Sequence, residues 1–460
     1  MIKPVLLWSD GLIFLLTFAV AMFVRNIIRN DLVRARWLKV FQTRVGMASF
    51  VVICVYLFIA LLDSFHYREA LPETSQQTEQ HYSHEIKSVL DLFLADLKAN
   101  EEKTYSEPFA IYGFAKENMQ DKQGRTYRDF PRLEHAGSHL ADERDKINHI
   151  IWLSLQALVF GVIACAFVIG PHWLWRRRSS RDAVAVTTVV PIPWHVAYLT
   201  LSIFILIASW IYLVGGHYHI LGTDKVGTDV LYQSIKAIRT SVLIGTLATL
   251  LTLPLAVILG VSAGYFKGWW DDVVQYIYTT LSSIPSILLI AAAALLVDVY
   301  IQTHQEHFQL AIERADFKFL ALCMILGFTS WTSLCRLLRA ETLKVSQLDY
   351  IEAANAFGVA QPRILYRHIL PNITHIILIS LVLDFSGFVL AEAVLSYIGV
   401  GVDPAMNSWG NMINAARTEL SRDPTVWWSV TSAFILMFTL VLAANLFADR
   451  VRDAFDPRMA

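Results

Sequence analysis

Several runs of more than about 18 residues carry no charged side chain, long enough to cross the roughly 30 Å hydrocarbon core of a bilayer. In lipid every backbone N–H and C=O must find its partner within the protein, so only helices or a closed barrel can span. Runs of this length point to helices. The 460-residue chain is 55% hydrophobic and 17% charged, with a mean hydropathy of +0.47, whereas a soluble domain carries about a quarter charged residues. The expectation is an all-α polytopic membrane protein.

Nine transmembrane helices are predicted, at about 5–24, 47–63, 148–174, 190–214, 238–264, 273–301, 317–335, 373–399 and 425–447, from apolar run length. The first run, Leu6–Val24, has one lysine before it and no small-residue cleavage site before Arg25, so it reads as a retained span rather than a signal peptide. Basic residues fill the loop 25–46 (Arg25, Arg29, Arg34, Arg36, Lys39, Arg44), the stretch WRRRSSR (175–181), and the loop 336–372 (Arg336, Arg339, Lys344, Arg363, Arg367). Short basic loops stay in the cytoplasm. These three alternate correctly with the N-terminus outside and the C-terminus inside, and Arg450, Arg452 and Arg458 agree. The four cysteines, Cys54, Cys165, Cys323 and Cys335, lie in or beside apolar runs and read as packing residues, with no disulfide or metal spacing.

That orientation divides the chain into two spans (1–63), an extracytoplasmic insert (64–147), a third span with its basic loop (148–189) and a six-span core (190–460). Within the insert, 83–99 places Ile86, Val89, Leu90, Phe93, Leu94 and Leu97 on one face of a helix with Ser83 as N-cap, by helical periodicity and capping preference. QDKQGRTYRD (120–129) reads as an exposed turn. The insert is either a small helical subdomain or a docking surface for a soluble extracytoplasmic partner.

A polar stretch, EAANAFGVAQPRILYRHILPN (352–372), interrupts the apolar core. A helix through Asp349–Phe357 would put Ala353, Ala354 and Phe357 on neighbouring turns, a small-residue surface open to close approach. Gly358 permits a sharp change of direction, Pro362 suits the first turn of a second helix, and Pro371 fits the start of the next span. Spacing alone leaves this equally an ordinary loop or a rigid helix–turn–helix suited to receiving force.

Glu352-Ala353-Ala354, then Gly358, then Ile369-Leu370-Pro371 resembles the EAA loop of permease subunits of ATP-binding-cassette importers, and RHILPN (367–372) is similar to the dipeptide/oligopeptide/nickel branch. LGTDKVGTDVL (221–231), AGYFKGWWDDVVQ (263–275), LSSIPSILL (281–289), FTSWTSLCRLLRAETL (328–343), LAEAVLSYIGVG (390–401), SWGNMI (408–413) and NLFADRVRDAFDPR (445–458) resemble C-type permease subunits in the same order, over about 216–460. Thr228 stands where that family has arginine, so an ionic contact there is missing or replaced. Residues 1–190 match no family role.

The resemblance implies that Glu352, Ala353, Ala354, Phe357, Gly358, Arg363 and Arg367 couple the chain to an ATPase. It also implies a second homologous permease subunit, two ATPase subunits that bind ATP and Mg, and an extracytoplasmic substrate-binding protein, in a bacterial inner membrane. GTDKVGTD (222–229) has phosphate-loop glycine spacing, but Thr228 and Asp229 replace the required Lys and Ser/Thr, so this chain is expected to bind no cofactor. No metal site, catalytic residue or nucleic-acid partner is expected.

Asp384 lies about 17 Å along a helix counted from Ile373, near mid-bilayer, and Glu392 lies nearer the outer face. Intramembrane acids are costly and face protein or a water-filled cavity. Asp384 either lines the pathway, attracting a peptide's amino group, or makes a buried helix–helix hydrogen bond, unless the span is misplaced. Glu392 reads as structural or gating. His217 and His219 are interfacial or, less in keeping with their spacing, metal-binding; Trp427 and Trp428 fit an interfacial belt. The expected function is peptide uptake through a pathway shared with the second permease. The alternatives are import of nickel or another small solute, an envelope-related exporter or scaffold subunit, and a membrane-bound enzyme, for which no H-E-x-x-H motif is present.

Overall fold

The computed structural model describes residues 2–70, 82–83, 85–121, 126–140, 143–182, 192–308 and 310–455. Among them, nine helices are long and apolar enough to cross a membrane: Trp8–Arg29, Arg44–Asp63, Asp145–Arg178, Trp194–Gly215, Val230–Phe266, Ser286–Thr303, Ala311–Val345, Gln361–Ile398 and Trp428–Phe455. They are the first to ninth spans below. Several run beyond the expected boundaries, since backbone hydrogen bonding does not end where the apolar run ends.

The sixth span differs in kind. The expected 273–301 helix is two helices, Gly268–Ser283 and Ser286–Thr303. Pro285 lacks an N–H and pushes the preceding residue out of the helical region, and Ile284 is extended at ψ 131°.

The described residues form two compact units. The first comprises Met1–Leu6, Phe41–Arg239 and Asn407–Leu440. In it the third and fourth spans pack together, with the Trp210 indole donating to Ser154 Oγ at 3.0 Å. The Tyr56 hydroxyl donates to the Leu436 carbonyl at 3.0 Å. The insert carries short strands that the helical reading did not foresee. Ile2–Val5 pairs antiparallel with His66–Glu69, which pairs with Lys87–Ser88. Glu117–Gln120 pairs with Thr126–Asp129 as a hairpin. The 122–125 part of the expected exposed turn lies outside the described residues.

The expected 83–99 helix is corrected too. It begins at Val89, is capped by Ser88 rather than Ser83, and breaks at Leu94 into Val89–Phe93 and Ala95–Ala99. Leu90, Leu94 and Leu97 are buried, but Phe93 is exposed. Leu90, Leu94 and Leu97 join Leu153, Val214, Tyr218, Ile220 and Leu231 in the core of this unit.

The second unit comprises Leu7–Val40, Thr240–Met406 and Val441–Ala460. The first span lies against the seventh, and its Ser9 N–H donates to the buried Asp316 carboxylate at 3.3 Å. Interhelical hydrogen bonds and close packing, rather than a hydrophobic drive between helices, hold spans together in lipid. Thr252 Oγ1 donates to the Gly327 carbonyl at 3.2 Å, and Ser386 Oγ to Asn445 Oδ1 at 3.0 Å. The core of this unit gathers Val261, Val274, Tyr278, Trp331, Leu338, Val345, Ile351, Ile364, Ile369 and Ile373.

Candidate functional site

The polar stretch folds as a short helix, Asp349–Ala356, followed by a turn and the start of the eighth span. Asp349 and Glu352 occupy the first turn of that helix, where the helix dipole favours acids. Its C-terminus is a Schellman motif: Gly358 N–H bonds the Asn355 carbonyl at 3.0 Å and Val359 N–H bonds the Ala354 carbonyl at 3.1 Å. Gly358 sits at φ +72°, a left-handed conformation that glycine adopts without penalty. Val359 and Ala354 then pack together against the core cluster, as that motif's hydrophobic contact requires.

Pro362 stands in the first turn of the Gln361–Ile364 helix, as expected. Pro371 stands in the first turn of the Leu370–Ile398 helix, as expected, but no break precedes that helix. Residues 361–398 run as one helical span through it. A proline ring would crowd the carbonyl four residues back. Leu365–Ile369 widens into a π-turn just before it, with Leu370 N–H bonding the Leu365 carbonyl. The Asn372 amide caps the His368 carbonyl at 2.6 Å. The expected second helix is thus the end of the eighth span itself.

The element is fastened on two sides. Asn372 donates to the Tyr350 hydroxyl at 3.0 Å, and the Tyr265 hydroxyl donates to Asn355 Oδ1 at 3.0 Å. Ile351, Ile364, Ile369 and Ile373 are fully buried against Trp331, Leu334 and Leu338. Behind it, Arg339 grips Asp271 with two hydrogen bonds, one of them Nη2 to Oδ2 at 2.6 Å. These bonds from Arg339 hold the Asp271 carboxyl below its usual range, against the opposing effect of burial.

Of the residues singled out in the sequence, Glu352, Ala353, Phe357, Gly358, Arg363 and Arg367 are exposed on this element. Ala354 is not part of that face; it is half-buried against the core. Phe357 is 87% exposed and Tyr366 77% exposed. Tyr366 was missed, although its spacing from Arg363 and Arg367 puts the three on one face. Both aromatics stand open beside the exposed Arg363 and Arg367.

Asp384 is half-buried in the eighth span, and its Oδ2 is buried without a hydrogen-bond partner among the described residues. Glu392 is buried and accepts the Ser396 hydroxyl at 2.7 Å. The two acids are separate sites on one helix.

Residues 256–460 match the family described as binding-protein-dependent transport system inner membrane component. The oligopeptide transport system permease protein OppC of Mycobacterium tuberculosis is 33% identical over 242 residues, covering 53% of this chain and 77% of that one. The glutathione transport system permease protein GsiD of Pectobacterium atrosepticum is 30% identical over 241 residues, covering 52% and 73%. The dipeptide transport system permease protein DppC of Lactococcus lactis is 28% identical over 240 residues, covering 52% and 64%. The chain belongs to this family of transport-system inner-membrane components. Similarity to a solved inward-facing MetNI methionine ABC transporter chain is slight, with TM-score 0.39 and 14% identity over 49% of this chain and 96% of that one.

In this multi-pass inner-membrane transport component, the sequence reading missed how tightly the insert is joined to the stretch before the fifth span. The Glu102 carboxylate accepts the backbone N–H groups of Glu134, His135 and Ala136 at 2.9, 2.9 and 3.1 Å. It also faces His219 Nε2 at 3.6 Å. His219 Nδ1 lies 2.7 Å from Asp229 Oδ2, and Asp229 Oδ1 caps the fifth span by accepting the Tyr232 N–H at 3.0 Å. Burial disfavours the His219 cation, but the hydrogen bond to Asp229 and the negative charges of Asp229 and Glu102 overcome it and push its pKa up to about 9. Burial likewise opposes the Glu102 anion, and the facing His219 together with the three backbone N–H bonds brings its pKa down to about 2.

His217 and His219 therefore do not act as a pair: His217 stacks edge-on to His139, ring centroids 5.3 Å apart, while His219 is buried in the acid cluster. The Thr228 backbone N–H donates to Asp224 Oδ1 at 2.9 Å, a bond that does not depend on the side chain at this position. Trp428 is corrected from an interfacial residue to a buried one whose indole donates to the Thr223 carbonyl at 2.9 Å; Trp427 stays exposed. A second tie joins the Lys236 ammonium to Asp63 and to Asp91, the latter at 3.0 Å. The signal for it was a lysine and an arginine, Lys236 and Arg239, at the start of an apolar span.

Proposed function

We propose that the chain is one of two permease subunits of an ATP-binding-cassette importer that takes up peptides. It would carry the pathway jointly with a homologous second permease, receive substrate from a soluble extracytoplasmic binding protein, and be driven by two ATPase subunits that hold ATP and Mg. The observation that carries this reading is the fastened Asp349–Asn372 element with Phe357 and Tyr366 held open beside Arg363 and Arg367. The oligopeptide, glutathione and dipeptide transport permeases to which the chain is similar support peptides as the substrate class.

The basic loops support an N-terminus outside and a C-terminus in the cytoplasm, with the docking element on the cytoplasmic side and the 64–147 insert outside. In this reading ATP binding draws the docked elements together and biases the spans between inward- and outward-open states. Asp384, with its orphaned buried oxygen, would line the pathway; Glu392, already bonded within its helix, would serve the packing or gating of the span.

The test is the double variant Phe357→Ala/Tyr366→Ala in the full complex. Both side chains are exposed, so membrane insertion should be unchanged. Loss of two interface aromatics should weaken ATPase co-purification by at least about tenfold and abolish uptake. Wild-type uptake and wild-type ATPase recovery would remove this element from coupling. Cysteine labelling of Arg128→Cys from outside, with Phe357→Cys protected, checks the orientation; the reverse pattern would overturn it.

A further inference from the structure

The geometry points to the Asp31–Gln42 helix as a docking face for the phosphate-bearing headgroups of anionic lipids. The helix joins the first span, which ends at Arg29, to the second, which begins at Arg44, through the single residues Asn30 and Thr43. A segment of about 18 Å tied at both ends to membrane spans cannot leave the bilayer surface.

Trp37, Val40, Val33 and Leu38 of this helix are turned toward protein. The Trp37 ring meets Phe23 of the first span edge-on at 6.2 Å and Phe455 at the end of the ninth at 5.4 Å. Val40 is buried, and Val33 and Leu38 are half-buried. Arg34, Arg36 and Lys39 are exposed on the remaining surface, flanked by exposed Arg25, Arg29 and Arg44. Six cations face one acid, Asp31, between residues 25 and 44. None of the six forms an ion pair among the described residues. Charge complementarity at headgroup depth selects anionic lipid as the occupant, since polybasic segments beside a membrane are attracted to it within a Debye length. The peptide-uptake reading does not enter this inference.

The test uses the purified full chain in nanodiscs of phosphatidylcholine mixed with phosphatidylglycerol, with native mass spectrometry of the lipids that remain bound. The wild type should retain phosphatidylglycerol over phosphatidylcholine, and Arg34→Gln/Arg36→Gln/Lys39→Gln should lose that preference about tenfold. Raised salt should reproduce the loss in the wild type, which keeps the test decisive if the triple variant is unstable. Arg34→Lys/Arg36→Lys keeps the charge and should keep the preference. Equal preference in wild type and triple variant, or a preference indifferent to salt, overturns the proposal. So does displacement of the lipid by inorganic phosphate, which would make this a free-anion site.

Discussion

The Glu102 N–H donates to the Gly227 carbonyl at 3.0 Å, and the Glu102 carbonyl in turn occupies the space that a β-carbon on Gly227 would need. Gly227 lies at φ +84°, and Gly222, at φ +66°, meets the Ser106 carbonyl in the same way. The two glycines that mimic a phosphate loop in the sequence are the places where the backbone of the insert lies directly on the segment before the fifth span.

Alanine at Gly227 therefore faces two costs, while alanine at Gly358 faces one. Gly358 has the left-handed backbone but open space around it, so Gly358→Ala should destabilise by about 1–2 kcal/mol. Gly227→Ala adds an overlap with backbone that cannot rotate away, and should cost more than about 2 kcal/mol. Thermal melting of the two purified variants should rank them in that order; equal melting temperatures would show that the insert is not pressed against Gly227.

The Glu102–His219–Asp229 cluster gives the joint a pH window. The pKa of His219 is raised from 6.5 to about 9 in the folded chain, so its contribution is complete below 6.5 and is lost as pH rises through 9. That of Glu102 is lowered from 4.5 to about 2, so its contribution is complete above 4.5 and is lost as pH falls through 2. Resistance of the insert to proteolysis should be flat between those ordinary values and decline toward alkaline pH. His219→Asn should remove the alkaline decline; an unchanged decline would assign it to another group.

Two adjacent alanines should behave oppositely. Ala353 is exposed and Ala354 packs on the core. Ala353→Arg should leave the purified chain as stable as wild type while blocking ATPase binding. Ala354→Arg should lower the melting temperature by several degrees, since a charged side chain cannot enter that cluster unpaired. If both leave stability intact and both block binding, the docking surface extends over Ala354.

Asp384→Asn keeps the shape and hydrogen-bonding capacity of the side chain but removes its charge. In the uptake reading the variant should assemble normally and lose uptake of peptides with a free amino terminus more than of amine-blocked ones. Equal loss of both would mean that Asp384 does not read charge, and failed assembly would assign it to helix packing.

The nine spans and the local fold of the Asp349–Asn372 element were legible because run length, glycine at a helix end and proline at a helix start are local signals. Gly358 and Pro362 stand where such rules put them. The continuous join before Pro371 and the break at Pro285 were not legible, because the outcome for a proline depends on whether the turn before it can widen. At Pro371 a π-turn forms; at Ile284 the backbone becomes extended. The insert was least legible. Its partners for Glu102, Lys236 and Trp428 lie more than a hundred residues away in sequence for most of the contacts, so no local pattern announces them, and Ser88 outcompeted Ser83 as a cap only because strand pairing already held the preceding residues.

The unbroken run of helix from Gln361 to Ile398 makes Arg363 and Asp384 two points on one shaft, about 32 Å apart along its axis. A twist applied at the exposed end reaches the carboxylate without any relay of side chains, reduced only by what the widened Leu365–Ile369 turn takes up as torsional slack.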